Sequence, residues 1–107
     1  MKLIAAAIKK VKLDDVVLAL EAVPGFPGMT VHDSMGMDRE HIEHQEDRQE
    51  QLTDFRPCVH LEILAKDDLV PALVQAIRQA AHTGLRGDGR IWVCPVEEFH
   101  DIRKAEE

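Results

Sequence analysis

The sequence predicts an α+β fold of the split βαβ, ferredoxin-like kind: a sheet with two helices on one face. Three observations carry this. The apolar patterns run strand, helix, strand, and then strand, helix, strand again. The two halves echo each other, with Lys12-Leu13-Asp14-Asp15-Val16-Val17 answered by Lys66-Asp67-Asp68-Leu69-Val70. A long polar connection separates the halves, as a split βαβ repeat allows.

Each element has its own justification. Leu3–Ile8 is short, apolar and uncharged, and ends at Lys9-Lys10. Its alanines leave the period ambiguous. It resembles a short signal segment but stops at the two lysines with no small-residue cleavage site, so it is read as a mature strand. Leu13–Val23 reads as a helix, with Asp14 and Asp15 at its positive dipole end and Leu13, Val16, Val17 and Leu20 on one face. Pro24-Gly25-Phe26-Pro27-Gly28 terminates it. Met29–His32 begins the second strand. Phe55–Leu64 is the clearest strand, because Val59, Leu61 and Ile63 alternate with Cys58, His60 and Glu62. Asp67-Asp68 opens the second helix, Pro71 fits its first turn, and Leu73, Val74, Ile77, Ala80 and Ala81 form its stripe. Ile91–Val93 is the fourth strand, stopped by Pro95. The uncovered sheet face is expected to be apolar and to call for a partner chain.

The connection Met37–Thr53 contains only Met37, Ile42 and Leu52 as apolar residues. A connection of this length without a core of its own is usually functional. It is expected to be a solvated loop that orders on contact with something.

The chain has 107 residues, the size of one domain spanning 1–107. Its net charge is −7, from 20 acids against 13 bases, which excludes a general nucleic-acid binder. No apolar stretch approaches the roughly 20 residues that span a bilayer, so direct membrane insertion is not expected. Cys58 and Cys94 lack metal-type spacing, and a cytoplasmic location with reduced thiols is expected. No nucleophile–base pair or metal-hydrolase spacing points to an enzyme.

The segment Thr83-Gly84-Leu85-Arg86-Gly87-Asp88-Gly89-Arg90 concentrates glycine, aspartate and arginine between a helix and a strand. Glycines allow close backbone approach, turned N–H groups can form an anion nest, and arginines donate to phosphate. An ordinary Gly-Asp-Gly turn is the competing reading. Six histidines invite a metal reading. His41 and His44 would share a helical face beside Glu40 and Glu43, which suits a divalent transition metal; a solvated charged loop is the alternative. Cys58, His60 and Glu62 share a strand face, where His32 on the paired strand could join His60; a wet subunit interface is the plainer reading.

These pieces, in this order and over nearly the whole chain, resemble the PII (nitrogen regulatory P-II) signal-transduction family. The resemblance rests on Lys9 and Lys12-Leu13-Asp14-Asp15-Val16, on Gly28-Met29-Thr30-Val31, and on Asp54-Phe55-Arg56-Pro57. It rests further on Thr83-Gly84, Gly87-Asp88-Gly89-Arg90-Ile91, Val93 and Ile102-Arg103. It implies a homotrimer with adenine nucleotide (ATP, ADP or AMP) in clefts between subunits. It also implies a long loop that docks on a target transporter, enzyme or regulator. The phosphate cradle would be Gly87, Asp88, Gly89 and Arg90, with Arg103 from the neighbouring subunit. Thr83 and Gly84 would lie near the adenine or ribose. Ala7 and Gly36 would border the cleft near Lys9, and Met37 would cover the base.

Departures from the family pattern narrow the expectation. The chain has no tyrosine, and no serine lies in the loop, so two modification sites are missing. The loop is a little shorter, and a single extra residue sits near Pro24 to Pro27. Glu40 stands for a loop glutamine that helps hold Mg²⁺ and 2-oxoglutarate, and Cys58 for a lysine that pairs with 2-oxoglutarate. An added acid and a lost cation disfavour a dianion, so weak or absent 2-oxoglutarate sensing is expected. Asp101 replaces an arginine of the C-terminal element, which puts one triphosphate contact in doubt.

Overall fold

The computed structural model describes residues 1–37 and 55–103. Four strands run in the order β2-β3-β1-β4: β1 Lys2–Lys9, β2 Thr30–Gly36, β3 Arg56–Ala65 and β4 Gly89–Pro95. All three pairings are antiparallel. Two helices, α1 Leu13–Glu21 and α2 Val70–Ala81, pack on one face and on each other. This is the expected ferredoxin-like α+β arrangement.

The period of two in β3 sends Val59, Leu61, Ile63 and Ala65 into the core. They meet Ile4, Ala6 and Ile8 of β1, Val16 and Leu20 of α1, and Leu73, Ile77 and Ala81 of α2. The ambiguous alanine run of β1 is a central strand. Flanked by β3 and β4, it needs small side chains on the face opposite the helices, where Ala5 is paired with both Glu62 and Trp92.

Some boundaries differ from the sequence reading. β2 extends past His32 to Gly36, because pairing with β3 continues through Gly36↔Arg56. β4 begins at Gly89, paired with Ile8. Each helix is preceded by a 3-10 turn, Lys10–Lys12 and Asp67–Leu69, so Asp67-Asp68 opens that turn rather than α2 itself. α1 stops at Glu21, before the Pro24–Gly28 breaker.

The uncovered face corrects the expectation of an apolar surface. The registers place Thr30 and His32 of β2, Cys58, His60, Glu62 and Leu64 of β3, Leu3, Ala5 and Ala7 of β1, and Arg90, Trp92 and Cys94 of β4 together on it, so its apolar part is the Leu3, Leu64 and Cys94 end. That face is mixed, with polar and ionisable side chains around Trp92.

Candidate functional site

Register, rather than sequence proximity, builds the site. At one end of the sheet, Lys9 is paired with Cys58, Ile8 with Gly89, and Gly36 with Arg56. Four strand ends therefore converge on a cleft of about 690 Å³. Its walls come from Ala7 to Val11, from Gly36 and Met37, from Arg56 to Cys58, and from Arg86, Gly87, Gly89 and Arg90. This volume is in the range that holds a small organic ligand.

Lys9, Lys10, Arg56, Arg86 and Arg90 all line the cleft, and among the described residues no acidic side chain does. Lys9 is 3.5 Å from Asp88 and Lys10 is 3.4 Å from Asp33. Arg56, Arg86 and Arg90 form no ion pair with another described residue. A chain of net charge −7 thus has a concentrated positive pocket. Total charge hides this feature. Sequence reasoning missed Lys10 and Arg56 as cleft residues because they come from separate segments, while Arg86 belongs to the glycine-arginine segment already singled out as phosphate-compatible. The Lys9-Lys10 pair and the Arg56 that opens β3 were the available signal, and only pairing register unites them.

Gly89 is fixed by contact as well as conformation. Its φ is +117°, and a Cβ built there would lie 1.9 Å from the carbonyl oxygen of Ala7. No side chain fits, so β4 closes directly onto β1 and the cleft keeps its floor. Gly84 and Gly87 also have positive φ, which gives the loop its tight path.

Asp88 and Thr83 tie that loop together instead of lining the cleft. The Thr83 backbone N–H donates to Asp88 Oδ2 at 2.9 Å, and the Thr83 hydroxyl donates to Asp88 Oδ1. The Leu85 N–H donates to Thr83 Oγ1 at 3.0 Å. Lys9 Nζ reaches Thr83 Oγ1 at 3.4 Å, and His82 Nδ1 is 3.3 Å from Asp88 Oδ2. Desolvation pushes the Asp88 carboxyl up, but hydrogen bonds from Thr83 and Gly84 and the charge of Lys9 outweigh it, and hold it at about 2. A carboxylate locked in this way positions the loop. Facing a phosphate, it would repel it.

The sequence-predicted residues therefore separate into groups. Ala7, Gly36, Met37, Gly87, Gly89 and Arg90 share the cleft. Thr83, Gly84 and Asp88 form the loop lock behind it. Arg103 is exposed and does not line the cleft of its own subunit. His41 and His44 lie outside the described residues, as does the Arg39-Glu40 root of the long connection.

The fit to an anionic ligand is chemical as well as steric. Guanidinium forks match phosphate oxygens, and a floor without a Cβ lets a ligand approach the backbone. Ala7, Ile8, Val11, Met37 and Pro57 supply apolar lining beside the cations, which suits a flat apolar ring.

The family model described as Nitrogen regulatory protein P-II matches residues 1–106. A nitrogen regulatory protein P-II of Azospirillum brasilense is 46% identical over 108 residues, covering 99% of this chain and 95% of the relative. The nitrogen regulatory protein P-II 1 of Escherichia coli K12 is 44% identical over 109 residues, covering 100% and 96%. The protein of the same name in Rhodospirillum rubrum, without the numeral, is 43% identical over 108 residues.

Proposed function

This chain belongs to the nitrogen regulatory protein P-II family, and we propose that it acts as a homotrimeric signalling protein whose cleft binds an adenine nucleotide. The observation that carries this reading is the ring of five cations around the Gly89 floor, in a chain that is acidic overall. In this reading Arg86 and Arg90 hold phosphate oxygens. Lys9 bridges the cleft to the loop lock through Asp88, and Arg103 comes from the adjacent subunit. Met37 covers the base, which couples the ligand to the long connection, since Met37 is the first residue of that connection.

Binding shifts the connection 37–53 only if the ligand contacts one of its arrangements better than another. That connection then engages or releases a target protein, for which a membrane transporter is one candidate class. No described helix is long and apolar enough to cross a membrane, so a membrane target would be met from outside the bilayer. Cys58 lines the cleft where a cation would be needed for a dicarboxylate. The reading therefore includes weak or absent response to 2-oxoglutarate. It assigns the chain a regulatory role and no catalytic one.

The test is calorimetric titration of ATP, ADP and AMP into the wild type and Arg90→Ala. Loss of one charge-assisted contact of about 1.5–3 kcal/mol weakens binding by roughly 10- to 100-fold. Unchanged affinity for all three nucleotides in Arg90→Ala overturns the reading, as does absence of wild-type binding.

A further inference from the structure

Beside the cleft, the uncovered sheet face holds a second cluster, in which no residue lines the cleft itself. Residue His32 of β2 is directly opposite His60 of β3, and Glu62 is two residues further along the same face. The two imidazole rings are 4.8 Å apart, centre to centre, and tilted by 44°, so they are not stacked. One ligand atom from each of His32, His60 and Glu62 can be chosen so that all lie within 4.8 Å of one another. His60 Nε2 is already 3.3 Å from Glu62 Oε2.

We propose that His32, His60 and Glu62 form a binding site for a divalent transition-metal ion, of the kind typified by Zn²⁺ and Cu²⁺. Metal–nitrogen and metal–oxygen bonds of about 2.0–2.1 Å at tetrahedral angles separate neighbouring ligand atoms by about 3.3 Å. The His60–Glu62 pair has that spacing already. His32 closes the remainder by side-chain rotation, for which an exposed residue on an edge strand has room. Two imidazoles and a carboxylate are the donor set that favours these ions over Mg²⁺ or Ca²⁺. Three protein ligands leave a fourth position open to water or a small ligand.

The surroundings favour a built site over a chance surface pair. The His60 side chain is only 21% exposed and forms the floor, while Glu62 is 44% exposed at the rim. The β1 residue paired with His60 is Ala7, whose methyl leaves space above the sheet. Trp92 closes the opposite side, its ring 5.7 Å from that of His60. The site bridges β2 and β3, the two strands between which the long connection runs. An ion there would clamp that stem.

Trp92 is the chain's only tryptophan, so the site carries its own reporter. Zn²⁺ is titrated calorimetrically into the full chain without nucleotide, and Cu²⁺ is followed by quenching of Trp92 fluorescence. The wild type is expected to bind Zn²⁺ and to be quenched by stoichiometric Cu²⁺. His32→Gln/His60→Gln should weaken Zn²⁺ binding about tenfold or more and abolish stoichiometric quenching, with Glu62→Gln intermediate. His41→Ala/His44→Ala and Cys58→Ser/Cys94→Ser should both retain binding. Circular dichroism and thermal midpoints in chelator establish folding. If the double variant fails to fold, His32→Gln alone, on the exposed edge strand, gives the decision. The proposal is overturned if the sheet variants bind Zn²⁺ as the wild type does, if binding disappears with His41 and His44 or with the cysteines, or if the wild type binds no Zn²⁺.

Discussion

The two walls of the cleft are held by opposite means. On one side, the Thr83–Asp88 loop is short and crossed by side-chain hydrogen bonds. It is anchored to β1 by Lys9 and joined to a strand whose first residue has no room for a Cβ. On the other side, β2 is an edge strand paired only with β3, and four of its first five residues are exposed, all but Ser34. The helices cover the centre of the sheet and stop short of it, so even the helix-side residues Val31 and Met35 keep substantial exposure. The difference teaches how one cleft can combine recognition with signalling. On the proposed reading, a preorganised wall would fix the ligand's anionic end at low cost in ordering. A weakly packed wall that leads into the long connection is free to respond, because local opening free energy follows the number of buried contacts.

The contrast breaks most readily at Gly89. A side chain there meets the Ala7 carbonyl and must also adopt positive φ. Gly89→Ala is expected to cost about 3 kcal/mol or more in urea unfolding, since strained φ and forced overlap each cost about 1–3 kcal/mol. Nucleotide affinity should fall with it. A loss below about 0.5 kcal/mol, the range of an ordinary surface change, would mean that β4 can part from β1 and that the wall is not rigid.

The pairing at Asp88 sharpens the same contrast through pH. Its carboxyl is held at about 2, against 3.8 for the free group. The stabilisation is therefore fully present above about pH 5 and is lost as pH falls through about 2. Because the side chain is still a quarter exposed, screening reduces the contribution to about 1 kcal/mol. Asp88→Asn should lower stability by that amount at pH 7. The gap between variant and wild type should shrink steadily from about pH 4 to pH 2, measured as urea midpoints. A gap that stays constant over that range would assign the effect to shape and not to charge.

Both walls were partly legible in the sequence, for different reasons. Local rules identify the glycine-rich turn, the two helices and the alternation of β3, because each depends on neighbours within a few residues. They single out the segment with Gly87, Gly89 and Arg90 as anion-compatible, and the family resemblance places it at a cleft. What they could not distribute was role. Asp88 belongs to the same short segment, yet its oxygens are taken up by Thr83, a contact that depends on how the loop folds back. The extent of β2 was not legible either. Residues Asp33 to Gly36 lack an apolar alternation, and they are strand only because β3 continues beside them to Arg56. Lys10 and Arg56 join Arg86 in one positive pocket only because the strand pairings bring their segments to the same end of the sheet. The approach of His32 to His60 was legible from the period of two on neighbouring strands, whereas their directly opposed placement is a register fact.

The smallest effect should come from the responsive wall. Met35 lies on the helix side of β2 but is 70% exposed, beyond the reach of α1 and α2. Met35→Ser removes little buried apolar area, so its cost should stay within about 0.5 kcal/mol. Amide hydrogen exchange gives the more telling comparison. Amides of Val31 to Met35 should exchange faster than those of Ile4 to Ile8, which lie in a central strand between two partners. Addition of nucleotide should slow the β2 amides more than the β1 amides, because ordering has more to act on where packing is poor. Equal protection of β1 and β2 without ligand would remove the asymmetry on which coupling through Met37 depends. The cleft would then be a rigid receptacle, and any signal to a partner would have to travel by a route other than the edge strand.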